Sequence, residues 1–195
     1  MLELTEGEPM LLTNHVLSGA VIGAVVRRPV PAFVLGVASH FALDAVPHWG
    51  DWKGDTRKFL RVAVPDGLTA LAAMAALAAT APPQRRLAVT AGMFGAALPD
   101  ADKPTRLWFG FSPFPAAVGR FHGRIQDEAP GRFPIEAATA AIFAAAAVKA
   151  LRRLRAAGPA GAARLRAGAR RRHIGLRRAD LTGPANRALC PVNGR

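Results

Sequence analysis

Apolar residues in this 195-residue chain are gathered into five stretches, separated by short polar or proline-containing breaks. The stretches cover residues 11–26, 30–46, 62–82, 87–99 and 134–151. None of them alternates Val, Ile or Thr with polar residues over a length that would favour a strand. The pattern therefore predicts an all-α fold, a compact bundle of about five short helices in one domain of residues 1–151.

The lengths and flanking charges of these stretches bear on whether the bundle lies in a membrane. A spanning helix needs about 20 apolar residues, and only the stretch 62–82 comfortably reaches that length. If all five stretches span the membrane, Arg27-Arg28 and Arg85-Arg86 fall on the same side as the Arg-rich C-terminus. Basic residues mark the cytoplasmic side of membrane proteins. We therefore expect a multi-pass protein of the inner (cytoplasmic) membrane, with a cytoplasmic C-terminal tail and membrane lipid as a partner.

The net charge of +13 belongs mainly to the C-terminal segment. Residues 152–195 hold twelve arginines and one aspartate, whereas residues 1–151 are nearly balanced. This Ala/Gly/Arg segment has little to bury, so it is predicted to be a disordered tail. The charges of residues 1–151 nearly cancel, and a GC-rich genome alone would favour Arg over Lys. The arginines are therefore weak evidence for phosphate binding, and nucleic acid is not expected as a partner. The pattern leaves the oligomeric state open.

Residues 102–134, between the fourth and fifth stretches, are rich in Phe, Gly and Pro, and aromatic side chains alternate there with basic ones. Such a segment could lie along a membrane surface. A loop that packs over the helix ends explains the composition equally well.

Most of the polar residues that interrupt the apolar pattern lie at one end of the predicted bundle. His40 and Asp44 stand one helical turn apart on the same face, and Pro47 would end that helix and let His48 fold back. If all five stretches span the membrane, the polar residues at this end of the bundle are His15, His40, Asp44, His48, Asp66, Asp100, Asp102 and His122. Placing such groups in apolar helices is costly, so their sorting to one end indicates a functional site.

Imidazole nitrogens together with carboxylate oxygens suit a divalent metal ion, zinc foremost, with manganese or iron as alternatives. The expected ligands are His15, His40, Asp44, His48, Asp100 and His122. We expect Asp66 and Asp102 to be catalytic carboxylates that orient a ligand or act as a general base. For His15 and Asp66, a helix cap is an equally good interpretation.

Three motifs carry a family resemblance. They are Asn14-His15 with Gly19 and Gly23, then Ser39-His40-x-x-Leu43-Asp44, and then Leu98-Pro99-Asp100-x-Asp102. Over roughly residues 12–126 the chain resembles the YdjM-like family of small bacterial membrane-bound metal-dependent hydrolases. The resemblance implies a helical membrane bundle with metal-dependent hydrolase activity, and its motif positions are matched by His15, His40, Asp44, Asp100 and Asp102.

The chain departs from this family after Asp102, where the usual His-Arg-Gly and a nearby second histidine are replaced by His122, about twenty residues later. Pro47-His48-Trp49 resembles a subgroup of membrane proteins with Pro-His-Trp after the aspartate. A looser similarity to zinc-dependent phospholipase C suggests a phosphoester or lipid-linked ester as the substrate, at the extracytoplasmic face.

Two rival functions stay open. The same residues could form a structural or transport metal site in a membrane protein that is not an enzyme. Alternatively, the chain could be a peripheral helical protein whose Arg tail binds anionic lipid or nucleic acid, with the steep salt dependence of such binding.

Overall fold

A computed structural model describes residues 11–50 and 55–157 of the chain. Its helices are α1 Leu12–Val25, α2 Pro29–Asp44, α3 Thr56–Thr80, α4 Pro83–Ala97, α5 Asp102–Phe109, α6 Ala116–Ile125 and α7 Phe133–Ala157. Two-residue strands, β1 His48–Trp49 and β2 Glu128–Ala129, pair in parallel. The all-α prediction is confirmed, and the part described up to Leu154 belongs to one compact unit.

Five of the helices, α1 to α4 and α7, occupy the five apolar stretches. The other two, α5 and α6, lie in the Phe/Gly/Pro-rich segment, where the composition had suggested a loop or a surface segment. Each is short, and α5 ends at Gly110, whose φ of 76° is the left-handed conformation that ends many helices. The predicted disordered tail lies largely outside the described residues, but its first residues continue α7 to Ala157.

Helix α3 begins at Thr56, earlier than the apolar pattern indicates. Its start is capped by Asp55, whose carboxylate accepts hydrogen bonds from the backbone amides of Arg57 and Lys58 at 2.9 and 3.1 Å. The first turns of α3 are basic and carry no apolar periodicity, which explains why the pattern placed the start too late.

Helices α1, α2 and α4 pack closely through glycines. A Cβ at Gly19 or Gly23 of α1 would overlap the α4 backbone, and one at Gly92 of α4 would overlap the α1 backbone. Gly36 of α2 approaches the backbone of α4 in the same way. Small residues at such crossings let helix backbones meet, as they do at many helix contacts in membranes. The three helices therefore hold their ends in a fixed relation.

The two ends of this packed group differ in chemistry. The Arg85 guanidinium donates a hydrogen bond to the Val25 carbonyl at 3.5 Å, which brings the start of α4 beside the end of α1. The basic pairs noted above therefore lie at one end. His15 lies near the opposite end of α1, about 15 Å away at the rise of an α-helix.

Two segments of the described chain are long and apolar enough to cross a membrane: α3, and α7 together with the short 3-10 turn that precedes it. Only 11% and 17% of their most apolar windows is buried, whereas the core helix of a soluble protein is mostly buried. Leu68, Leu71 and Ile142 expose 64%, 62% and 67% of their surface. Helices α1 and α2 are apolar but shorter.

Candidate metal centre

Five of the eight sequence-predicted site residues meet in one buried cluster. His15 comes from α1, His40 and Asp44 from the end of α2, Asp100 from the 3-10 turn after α4, and His122 from α6. Their ligand atoms form two overlapping groups, His15/His40/Asp44 and His40/Asp100/His122, and within each group these atoms lie within 4.8 Å of one another. Four separate segments of the chain therefore converge on one point.

Asp44 lies at the centre of the cluster and is fully buried. Its Oδ1 is 3.2 Å from His15 Nε2, and its Oδ2 is 3.1 Å from His40 Nε2 and 2.6 Å from His122 Nε2. His40 lies one turn before Asp44 on α2, so the helix itself positions these two side chains together. A carboxylate and three imidazoles thus direct their polar atoms into the same space.

The second carboxylate, Asp100, lies slightly farther out. Its Oδ1 is 3.7 Å from His40 Nε2 and 3.8 Å from His122 Nε2, while the Nε2 atoms of His40 and His122 are 3.1 Å apart. Burial alone would raise the pKa of Asp100, but the positive charge of Lys103, together with His40 and His15 when these are protonated, outweighs it and holds the pKa below its usual range. Asp100 is therefore an anionic ligand candidate at neutral pH.

The backbone selects which nitrogen of His40 faces the cluster. His40 Nδ1 lies 2.8 Å from the carbonyl oxygen of Ala96, which can only accept, so Nδ1 carries the proton. In the neutral imidazole that binds a metal, Nε2 is then left with its lone pair directed toward the cluster. Metal-binding histidines usually have this arrangement, in which the other ring nitrogen donates to a carbonyl or a carboxylate.

Several buried atoms of the cluster lack a hydrogen bond. Among the described residues, neither ring nitrogen of His15 nor Oδ1 of Asp44 has a hydrogen-bond partner. His15 and Asp44 are both inaccessible to solvent. Leaving such groups unsatisfied costs about 1–3 kcal/mol each, and more for a charged one. A cation placed between His15 and Asp44 would satisfy both.

The donor set fits a divalent metal ion. Bonds of 2.0–2.1 Å in a tetrahedral site place neighbouring ligand atoms about 3.4 Å apart. The separations of 3.1–3.7 Å that join His40 Nε2 to Asp44, Asp100 and His122 lie around this value. Three imidazoles with two carboxylates suit zinc, manganese or iron. These buried His/Asp groups could therefore hold a metal ion, while its identity stays a prediction.

Asp66 belongs to neither ligand group. Its carboxylate accepts hydrogen bonds from the Leu12 amide at 2.6 Å, from the Thr13 amide at 3.3 Å and from the Thr13 hydroxyl at 2.6 Å. These contacts satisfy the first amides of α1, where Leu11, the residue at the N-cap position, offers no side-chain hydrogen bond. These contacts support the interpretation of Asp66 as a helix cap, and its catalytic role stays a prediction.

Asp102 also lies outside both groups. It begins α5, and its Oδ2 lies 3.4 Å from Nε of Arg106, one turn later in that helix. Its Oδ1 is buried without a hydrogen-bond partner in the described part of the chain. Its predicted catalytic role therefore rests on the sequence and not on any contact with the cluster.

His48 is fully buried but contacts a different acid. Its Nδ1 lies 2.8 Å from the Val46 carbonyl oxygen, and its Nε2 is 3.7 Å from Oε1 of Glu128. The pairing of β1 with β2 sets His48 directly opposite Glu128. Helix α2 ends at Asp44, three residues before Pro47, and His48 then enters this strand pair, so neither ligand group contains His48.

Two buried polar residues outside the predicted site set, one of them the Asn14 of the Asn14-His15 motif, join the start of α1 to α7. Asn14 donates a hydrogen bond from Nδ2 to Oε2 of Glu136 at 2.5 Å, and both residues are buried. Glu136 also accepts from the Leu11 amide at 3.3 Å and so connects α7 to the start of α1. The sequence signal for Glu136 was that it is a single carboxylate within an otherwise apolar predicted helix.

Comparison with known proteins adds no assignment. No protein-family model matches the chain, and no curated protein or solved structure matches it either. The functional interpretation therefore rests on the residues and their geometry.

Proposed function

We propose that the chain is a membrane-bound metal-dependent hydrolase that acts on a phosphoester or a lipid-linked ester. The observation that carries this proposal is the convergence of three imidazoles and two carboxylates in one buried cluster, with both ring nitrogens of His15 and the Oδ1 of Asp44 lacking a hydrogen bond among the described residues. The resemblance to the YdjM-like family points to the same chemistry. Zinc is the proposed ion, with manganese or iron as alternatives.

The protein's own residues have distinct roles in this proposal. His15, His40, Asp44, Asp100 and His122 would hold the ion. A divalent ion at such a site supplies Lewis-acid polarisation of a phosphoryl or carbonyl oxygen and lowers the pKa of water. Lys103 donates to Asp100 at 2.5 Å and would keep that carboxylate anionic and oriented. Asp66 would support the start of α1 through its cap contacts, and its role as a ligand-orienting carboxylate or general base stays a prediction.

The proposed location is the inner membrane, with several spans. The largely unburied apolar faces of α3 and α7 support membrane contact. The basic residues at one end of the α1/α2/α4 group, and the metal cluster at the other, support a cytoplasmic C-terminal tail and a site at the extracytoplasmic face. A substrate anchored in lipid would then reach the cluster from the interface.

Phosphoesterase assays on detergent-purified, metal-loaded protein test the proposal. A chromogenic phosphodiester and a short-chain carboxylic ester, each with zinc and with manganese, cover the two proposed substrate classes. We expect His122→Ala to lose more activity than the about 10–100-fold typical of residues that only support a metal ligand.

The control variant is Asp127→Asn, which removes an exposed carboxylate that pairs with Arg132 at 2.8 Å. It should keep wild-type activity. Metal-loaded wild-type protein that hydrolyses neither substrate class would contradict the enzymatic proposal and favour a structural or transport site.

A further inference from the structure

A second histidine and carboxylate face each other beside the main cluster. His48 is fully buried, Glu128 is partly buried with 22% of its side chain exposed, and His48 Nε2 lies 3.7 Å from Glu128 Oε1. Among the described residues, neither of these two atoms has a hydrogen-bond partner. At 3.7 Å the two atoms are too far apart to share a hydrogen bond.

The backbone prepares His48 to bind a cation. Nδ1 lies 2.8 Å from the Val46 carbonyl oxygen, which can only accept, so Nδ1 carries a proton and the neutral ring presents the Nε2 lone pair toward Glu128. His40 is arranged in the same way by the Ala96 carbonyl. The separation of 3.7 Å also equals that between His40 Nε2 and Asp100 Oδ1 in the main cluster.

The surrounding chain keeps the Glu128 carboxylate in place. The parallel pairing of β1 and β2 fixes His48 opposite Glu128. Gly50 leaves room for the acid, since a Cβ there would lie 2.5 Å from Glu128 Oε2 and 2.8 Å from its Cδ. The partial exposure of Glu128 leaves one side open to water or to substrate.

We propose that His48 Nε2 and Glu128 Oε1 form a second position for a divalent cation of the zinc or manganese class. This inference rests on the proposed function, because the second ion would serve the same hydrolytic centre. Imidazole and carboxylate are the ligands that such ions share, and the remaining coordination positions would be open. Two ions could then act on different oxygens of one phosphoester.

Metal stoichiometry tests the second position. Detergent-purified protein is stripped with a chelator, reloaded with zinc or with manganese, desalted and measured by mass spectrometry. We expect two equivalents in the wild type and one in Glu128→Gln and in His48→Gln. Asp127→Asn, which removes the neighbouring carboxylate, should keep two. Glutamine has the size of glutamate, and circular dichroism checks that each variant is folded.

The arms of this experiment separate the two proposals. A His40→Ala/Asp44→Ala variant that keeps one equivalent, and loses it when Glu128→Gln is added, supports the second position, because the second loss assigns the remaining ion to Glu128. Equal metal content in wild type and Glu128→Gln overturns the second position but leaves the main centre standing. Wild-type protein that holds no metal after reloading overturns both.

Discussion

At the scale of single residues, Asp44 is the residue around which the buried cluster is arranged. Its two oxygens lie within 3.2 Å of Nε2 atoms from three histidines on three different helices. The sequence predicted the pair of His40 with Asp44 from helical spacing alone. His122 was among the expected ligands, but its helix was not recognised, so spacing could not predict that it would be directed at the same oxygen as His40.

Asp66 is predicted from the sequence to be catalytic, whereas its contacts indicate a structural role at the start of α1. Substitutions of Asp66 distinguish these two roles. Asp66→Ala should lower the free energy of unfolding by about 1 kcal/mol, as loss of a helix cap does, and should leave metal content unchanged. Asp66→Asn keeps an acceptor oxygen and should recover most of that stability. Thermal unfolding and metal content of both variants check this, and loss of metal in Asp66→Asn would instead place Asp66 among the residues of the centre.

The metal centre should also respond to pH. Histidine ligands must be neutral to bind, and their ordinary pKa is about 6.5, so protons compete with the metal as the pH falls. Retained metal is therefore expected to decrease as the pH is lowered from about 7 to about 5 and to return on neutralisation. Equilibrium dialysis at a series of pH values measures this, and occupancy that stays constant to pH 5 would argue against imidazole ligands.

At the scale of helices, the glycine contacts among α1, α2 and α4 place the cluster. Apolar periodicity predicted these helices well, because each is a continuous apolar stretch. It could not predict which helices touch, since Gly19, Gly36 and Gly92 carry no side chain that contributes to the pattern. Nor did it find α5 and α6, whose short lengths hold only two or three turns each.

Gly92→Ala tests the closeness of this packing. The added methyl would overlap the backbone of Gly19, so we expect a loss of about 1–3 kcal/mol or more in stability, together with weakened metal retention. The control is Gly67→Ala in α3, where a Cβ would meet nothing within 4 Å. Thermal unfolding in detergent compares the two, and equal stability of both variants would contradict the close crossing.

At the scale of the whole molecule, the proposed function requires that the protein lies in a membrane with a defined orientation. Two sequence signals differ here. Only one apolar stretch has comfortable spanning length, whereas Arg27-Arg28 and Arg85-Arg86 fall on the side of the C-terminal tail, although the predicted outer loops carry basic residues too. The structure adds that α3 and α7 leave their apolar surface largely unburied. Neither observation depends on the identity of the metal.

Thiol labelling tests the orientation, because Cys190 is the chain's single cysteine. A membrane-impermeant maleimide should label Cys190 only in inverted vesicles or after lysis. In a Cys190→Ser background, Gly131→Cys, exposed just before α7, should instead be labelled in intact cells. Labelling of both cysteines from the same side would contradict the proposed topology.

The central claim, that His40 and Asp44 hold a metal ion, is tested most directly by metal content. Detergent-purified wild type is compared by mass spectrometry with His40→Ala/Asp44→Ala. A His173→Ala/Asp180→Ala variant, which removes the same residue types from the C-terminal segment, is the control. The account predicts at least one equivalent of zinc, manganese or iron in the wild type and control, and the loss of one equivalent in His40→Ala/Asp44→Ala. Equal metal content in all three proteins would contradict it.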